Sequence, residues 1–515
     1  MAIKGKSTKK EPAKAVIPVQ MILGSGDASQ THPDYDESVT QWERIRDCMK
    51  GEARIKELKE RYLPRPAGMS GEYAGAYTDY LERAHFPLIT AYALSGALGV
   101  IITKLPEFNL PKHLEYLNEE ATKDGNTLQQ LFLDMIIEVL QTGKVVIVVD
   151  IVPETNQFKF VKYNAENFTN WKAETIGSQK NLKLAVLKES IPEGVDIFAH
   201  DYEDVYRVLH LDEKGKYTSR LFGEKGEYVD FFAQPNLKGK KIDQIPLFVA
   251  GSINNSVGQQ PIPLLAVANC SIQIYRKEAD LANSEFLSCN PTLVLSGAST
   301  DDNVPNVVGS SVMITLPDPA ARVYYTKTDT AALTHVKTHI DDLYEEAIRH
   351  GVSILDTRKG VEAAEALRIR QATQSASIYS VYLSVLNALK QGLELMCIWS
   401  GKDKNEVVVD APPALTFGIP DSAVLKEIIS GFGSGVVPLP VIHRYLVNSG
   451  LIDQRVSLKE YIEQLEKYKE YMKISSAMQG LTVTGKVRDD ADDKSSSGKP
   501  KPGDGKSPDG KGSEE

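Results

Sequence analysis

The sequence predicts an α+β fold built around long helices that pack against copies of the same chain. Three observations carry this. First, residues 262–288 place Leu265, Ala268, Ile272, Tyr275, Ala279, Ala282 and Phe286 at alternating steps of three and four, and residues 331–350 repeat the spacing with Leu333, Val336, Ile340, Leu343 and Ala347. Residues 361–399 do so again with Tyr379, Tyr382, Leu386, Leu389, Leu393 and Met396. Such stripes face other helices. Second, Val145-Val146-Ile147-Val148-Val149 is a continuous apolar run, the mark of a strand covered on both faces. Third, short alternating segments fill residues 157–250. Helices this long and only weakly hydrophobic are hard to bury in one globule.

The elements follow in order. Residues 1–30 read as a flexible arm, basic first and then Gly24-Ser25-Gly26. Asp36 to Tyr62 is helical, with Trp42, Ile45, Cys48 and Met49 on one side and charges on the other. Residues 64–75 form a Pro/Gly-punctuated loop, and helices follow at 76–104 and 126–142. Phe158-Lys159-Phe160-Val161, Asp204-Val205-Tyr206-Arg207-Val208 and Tyr217-Thr218-Ser219-Arg220-Leu221 alternate as strands do, with turns at Glu213-Lys214-Gly215-Lys216 and Glu224-Lys225-Gly226. Pro261 and Pro263 open the first long helix, where a missing N–H costs nothing, and Pro291 closes it. Residues 292–328 are strand-like again, with turns at Gly297, Asp301-Asp302-Asn303 and Pro317-Asp318-Pro319. After Gly351 the polar stretch Asp356-Thr357-Arg358-Lys359-Gly360 precedes the third helix. Residues 421–476 hold further helices separated by Gly431-Phe432-Gly433-Ser434-Gly435 and by Pro438 and Pro440. From Lys486 on, Lys, Asp, Ser, Gly and Pro dominate, a composition that predicts disorder.

The 515 residues suffice for several packed units, and 42% hydrophobic with 25% charged residues is an ordinary soluble balance. The net charge of -10 argues against a broad face gripping nucleic acid, since phosphate neutralisation needs excess Lys and Arg. It is compatible with a surface past which DNA slides. Cys48, Cys270, Cys289 and Cys397 form no C-x-x-C pair, which predicts reduced thiols and neither a disulfide frame nor a zinc knuckle. Residues 1–14 are Lys-rich with no apolar core behind them, unlike a secretory signal. Phe86 to Thr103 carries no charge and approaches a membrane span in length, but Pro87, Gly96, Gly99 and its hydroxyls predict a buried helix whose small residues admit a close neighbour.

No catalytic constellation emerges, and no cofactor or metal is expected. Gly143-Lys144 and Asp150 bracket the apolar run, yet a phosphate loop follows its strand and ends in Ser or Thr, and here Val145 follows the lysine. Gly24-Ser25-Gly26-Asp27 lacks a preceding strand. His335 and His339 have the spacing of a zinc pair, but Val336 stands where a metalloprotease has its glutamate. Asp341-Asp342 and Glu345-Glu346 read as a solvated helix face. Arg358 and Lys359 are two adjacent cations suited either to transient phosphate contact or to a plain turn between helices.

Several stretches together resemble the portal proteins of tailed bacteriophages, in the subgroup filed as a domain of unknown function. They are His32-Pro33-Asp34-Tyr35 leading to Trp42-Glu43-Arg44-Ile45-Arg46-Asp47 and Gly51-Glu52, and Tyr80-Leu81-Glu82-Arg83-Ala84 running to Gly96, Gly99 and Lys104-Leu105-Pro106. Next come Pro263-Leu264-Leu265 through Tyr275-Arg276-Lys277-Glu278-Ala279-Asp280 to Asn290-Pro291-Thr292. The strongest runs from Gly351 through Glu365-Ala366-Leu367-Arg368 and Ser375 to Trp399-Ser400-Gly401. The likeness spans about residues 32–480; the N-terminal arm and C-terminal tail fall outside it.

The resemblance implies a portal-type fold: a basic arm (1–30), a wing in two parts (31–255 and 363–418, the second including the long helix), stem helices (256–289 and 331–350), a small β-containing clip (290–330), a tunnel loop (351–362), a helical crown (419–480) and a disordered tail (481–515). It implies twelve copies in a ring at one capsid vertex, through which double-stranded DNA is packaged and ejected without sequence reading. Stem packing between subunits would use Leu265, Ala268, Ile272, Tyr275, Leu343 and Ala347. The tunnel loop would present Ser353, Asp356, Thr357, Arg358 and Lys359. Asp301, Asp302, Asn303, Asp318 and Arg322 of the clip would dock the terminase large subunit and then the head–tail adaptor. Major capsid and scaffolding proteins are further implied partners. The implied location is the virion, with assembly in host cytoplasm and no membrane. Another ring-forming adaptor or a minor head protein is the alternative.

Overall fold

Proline and acids start the first helix, α1 (Pro33–Lys50): Pro33 fills its first turn, the His32 ring accepts from the Asp34 amide, and Asp34 and Asp36 lie at its positive end. Gly51 ends it at φ 84°, and α2 (Glu52–Glu57) follows, so the helix expected over Asp36–Tyr62 is broken. The computed structural model describes residues 27–70, 74–152, 155–176, 179–192, 198, 200–212, 215–223, 226–233, 242–289, 293–297, 319–325, 331–350, 364–411, 422–434, 436–448, 452 and 456–483. Next come α3 (Ala74–Arg83) and α4 (Ile89–Ile102). The uncharged span is thus a helix buried on one side only: Ala93, Ala97 and Ile101 are covered, while Tyr92 is 60% exposed. Gly99, expected at a close approach, faces open space. No described helix is long and apolar enough to cross a membrane.

After β1 (Glu107–Asn109), a reciprocal cap between Thr127 and Gln130 starts α5 (Leu128–Thr142). Gly143 ends it in the left-handed region at φ 82°, returning its N–H to the Val139 carbonyl. A Cβ there would lie 2.8 Å from the Pro261 carbonyl oxygen, so both backbone and space require glycine. The apolar run becomes β2 (Lys144–Val152), central in a three-stranded antiparallel sheet between β3 (Gln157–Asn164) and β9 (Leu247–Gly251). Its register sets Val149 opposite Phe160 and Val145 opposite Ala250. Val145 through Val149 are buried, as a strand covered on both faces must be.

The alternating segment at Phe158–Val161 lies in β3, and those further on belong to a five-stranded antiparallel meander of β4 (Phe168–Ile176), β5 (Gln179–Pro192), β6 (Tyr202–Leu211), β7 (Tyr217–Gly223) and β8 (Gly226–Ala233), in chain order. Helix α6 (Leu265–Cys289) begins after Pro263, so the prolines precede its first turn instead of filling it. The short strands β10 (Leu293–Ser296) and β11 (Arg322–Tyr325) pair antiparallel, and α7 (Ala331–His350) follows. The long helix α8 (Ala364–Trp399) packs on the three-stranded sheet. There Gly392 meets Phe160, and a Cβ at 392 would come within 2.5 Å of the phenyl Cε1. Ser384 Oγ accepts from the Gly251 amide at 3.1 Å, and the Tyr382 hydroxyl donates to the Lys104 carbonyl at 3.1 Å. Finally β12 (Val408–Asp410) pairs with β1. A main core links α4, α5, the sheets, one face of α6, α7 and α8, and a second core joins α1, α2, α3 and Phe86 to the other face of α6.

Contact density separates residues 1–418 from residues 419–515. The second unit contains α9 (Ser422–Gly433), α10 (Leu439–Asn448) and α11 (Leu458–Val483). Gly431 and Gly433, expected in a break, lie inside α9; a Cβ at 431 would sit 2.7 Å from Val437. Ser457 and Glu460 exchange hydrogen bonds at the start of α11, and His443 bonds the Val456 carbonyl at 2.9 Å.

Candidate functional site

Helix α6 carries two apolar faces, and each has a partner in the same chain. Val267, Cys270 and Ile274 meet Ile340, Leu343 and Ala347 of α7 in the main core. Ala268, Ile272, Tyr275 and Ala279 join Ile45, Cys48, Tyr62, Tyr80 and Phe86 in the second core. The side chains assigned from sequence to packing between subunits are therefore placed as follows. Ala268, Tyr275 and Ala347 are fully enclosed within one chain, Ile272 and Leu343 nearly so, and Leu265 is half-buried. Surface already covered inside the chain has no apolar area left to give a neighbour. Phe286 stays exposed at the far end of α6, with the Arg83 guanidinium 3.8 Å above its ring.

The polar edges of this pair remain open. Arg44 and Arg61, with Asn269, Gln273 and Arg276 of α6, line a cleft of about 460 Å³ between α1 and α6. Arg276 Nε donates to the Tyr62 carbonyl at 2.7 Å, and Arg44 donates to Asn269 Oδ1 at 2.9 Å. On α7, Asp342, Glu345 and Glu346 are exposed. The ribbon of β10 and β11 exposes Val323, Tyr324 and Tyr325 on its second strand. Arg322 opens that strand, exposed and opposite Ser296. Asp301, Asp302, Asn303 and Asp318, and Ser353, Asp356, Thr357, Arg358 and Lys359, lie outside the described residues.

The geometry does not assemble Lys144 and Asp150 into one site. The Lys144 amino group lies under Trp171, Phe168 and Trp42, at 4.1, 5.4 and 5.5 Å from the ring centroids. Burial pushes its pKa down to about 8, against the pull of Asp34. His32 stacks on the outer side of this group, 4.1 Å from Trp171. Burial alone would raise the Asp150 carboxyl, but the Arg207 and Lys123 charges outweigh it and hold it below the usual carboxylate range. Lys123 approaches to 2.8 Å and Arg207 to 3.3 Å. His335 and His339 are exposed on α7, and no group of three or more possible metal ligands occurs among the described residues. The four cysteines are free thiols.

Two features escape a sequence reading. Arg46 joins three elements, bonding Glu166 at 2.8 Å and Gln141 at 2.6 Å and pairing with Glu138. The arginine cleft draws on three separate stretches of chain. Charges on amphipathic helices signal only a wet face, and nothing local predicts that Arg44, Arg61 and Arg276 converge.

A family described as "Domain of unknown function (DUF4055)" matches residues 263–400. The match begins at Pro263, where the third stretch of the sequence likeness begins, and ends inside Trp399-Ser400-Gly401, which closes the fourth. No curated protein matches the chain. Among solved structures, a chain of "Virion of native gene transfer agent (GTA) particle" is similar at 11% identity and a TM-score of 0.38, over 74% of this chain and 94% of that one. A chain of "Neck of empty GTA particle computed with C6 symmetry" is similar at 12% identity and a TM-score of 0.39, over 72% and 90%.

Proposed function

We propose that the chain is the subunit of a portal, the head-to-tail ring of a tailed bacteriophage-like particle. In this reading twelve copies enclose a bore through which double-stranded DNA enters and leaves. Helices α6 and α7 are the stem, the β10–β11 ribbon belongs to the clip that meets the terminase and then the adaptor, and residues 351–362 line the bore. The observation that carries the reading is the order of parts from α6 through the ribbon and α7 to α8, inside the segment that the family match covers. A closed ring needs two different patches on each subunit that fit each other, related by a fixed rotation. Charge fits the role of a conduit. Twelve copies at -10 each total roughly -120, a field that opposes tight DNA binding and lets the duplex pass.

Negative-stain imaging of the purified full chain tests this directly. The expected result is a ring with a central hole. A compact solitary particle at every concentration overturns it.

A further inference from the structure

We propose that the arginine cleft between α1 and α6 receives the acidic face of α7 from a second copy of this chain. The proposal rests on the ring reading and names the contact that holds neighbouring copies.

Several arginines of the described residues have a carboxylate beside them. Arg46 has Glu138 and Glu166, Arg54 has Asp47 and Glu57, Arg65 has Glu60, and Arg207 has Asp150. In the cleft only Arg61 is so paired, with Glu43 and, at 4.0 Å, Asp47. Among the described residues Arg44 and Arg276 have no acid within salt-bridge distance. Each is instead held by one neutral acceptor, the Asn269 amide oxygen and the Tyr62 carbonyl. Those bonds fix the side chains without cancelling their charge. In a chain with ten more acids than bases, two such guanidiniums sharing one concavity form a site preset for carboxylates.

The complementary surface is on α7. Asp342, Glu345 and Glu346 are exposed and lie on one side of the helix. Glu345 and Glu346 touch only Arg349 and His350, each at 3.7 Å and all four exposed, while Asp342 has no partner among the described residues. The chain's own α7 turns the opposite face to α6, since Ile340, Leu343 and Ala347 are the buried positions. With 100° between successive residues, Asp342 and Glu345 point away from α6, while Glu346 flanks it, near enough that its charge adds to burial in raising the Cys270 thiol. A second copy, set beside the first, brings acids to arginines. Cleft and acidic face are different patches, as a head-to-tail ring requires.

Charge reversal and its repair test the contact. Arg44→Glu with Arg276→Glu reverses the cleft, and Asp342→Arg with Glu345→Arg reverses α7. Assembly of the full chain is followed by sedimentation and native mass spectrometry over a concentration series. Either reversal is expected to raise the concentration needed for assembly about tenfold or more. The chain carrying all four changes again has opposite charges in contact and is expected to recover assembly. The α7 positions are exposed, so that variant keeps its fold. If the cleft reversal fails to fold, Arg276→Gln, which retains a donor for Tyr62, provides the reading. Wild-type assembly with an unaffected α7 reversal overturns this contact and leaves the ring standing. Loss in each reversal without recovery in the fourfold variant also overturns it. A cleft variant that assembles normally but retains a short DNA duplex less well shifts the site to phosphate and overturns the proposal. A wild-type chain that never assembles overturns ring and contact together.

Discussion

At Lys144, three aromatic rings attract a cation that burial expels. Its folded pKa of about 8 lies below the ordinary 10.5. Between those values the unfolded chain holds a proton that the folded chain has released, so stability rises with pH across the window. Below it the amino group is charged in both states and the cost is fully present. Lys144→Met removes the charge. We expect the variant's advantage over wild type to shrink between pH 8 and pH 10.5, by at most about 3 kcal/mol. Urea titrations at several pH values check this; a gap that stays constant refutes it. The sequence displays Lys144 at the head of a strand, but Trp42 comes from α1 and Trp171 from β4, and only tertiary folding brings them together. The cleft arginines were invisible for the same reason.

The paired helices state their period locally and their partners only at a distance. Spacing of three and four places stripes on α6, α7 and α8 because helix geometry is set within a few residues. What covers a stripe is set by the whole chain, and residues 45–86 cover the one on α6. Replacing Leu343 by Ala should therefore lower the stability of the single chain by about 2–5 kcal/mol. Urea unfolding under conditions where assembly is already lost checks this, and an unchanged midpoint would place Leu343 in contacts between copies. The pairing of β1 with β12 left no trace in the sequence, since three residues are too few to show alternation. The glycines at 431 and 433 read as a turn, yet close packing against Val437 keeps Gly431 within α9. Proline placement misled by two residues at α6, where Pro263 precedes the helix.

On the scale of the assembled particle, Arg358 and Lys359 belong to the proposed bore. Their joint replacement by Ala should leave the ring mass unchanged while lowering packaged DNA length or retention, since phosphate contacts are non-specific and additive. Native mass spectrometry and sizing of packaged DNA check both halves; normal packaging and titre would remove the pair from the channel. The order of helices and strands from α6 to α8 was legible because each has its own period, whereas the surfaces that would join copies in the proposed ring depend on which faces remain uncovered after folding. Gly392 has a consequence for any movement transmitted through such a particle. With Phe160 pressed against its bare backbone, α8 is keyed to the sheet there, as well as held through Tyr382 and Ser384: advancing the helix by one position would drive Gln391 or Leu393 into a space too small for a methyl group, so sliding along its axis is opposed.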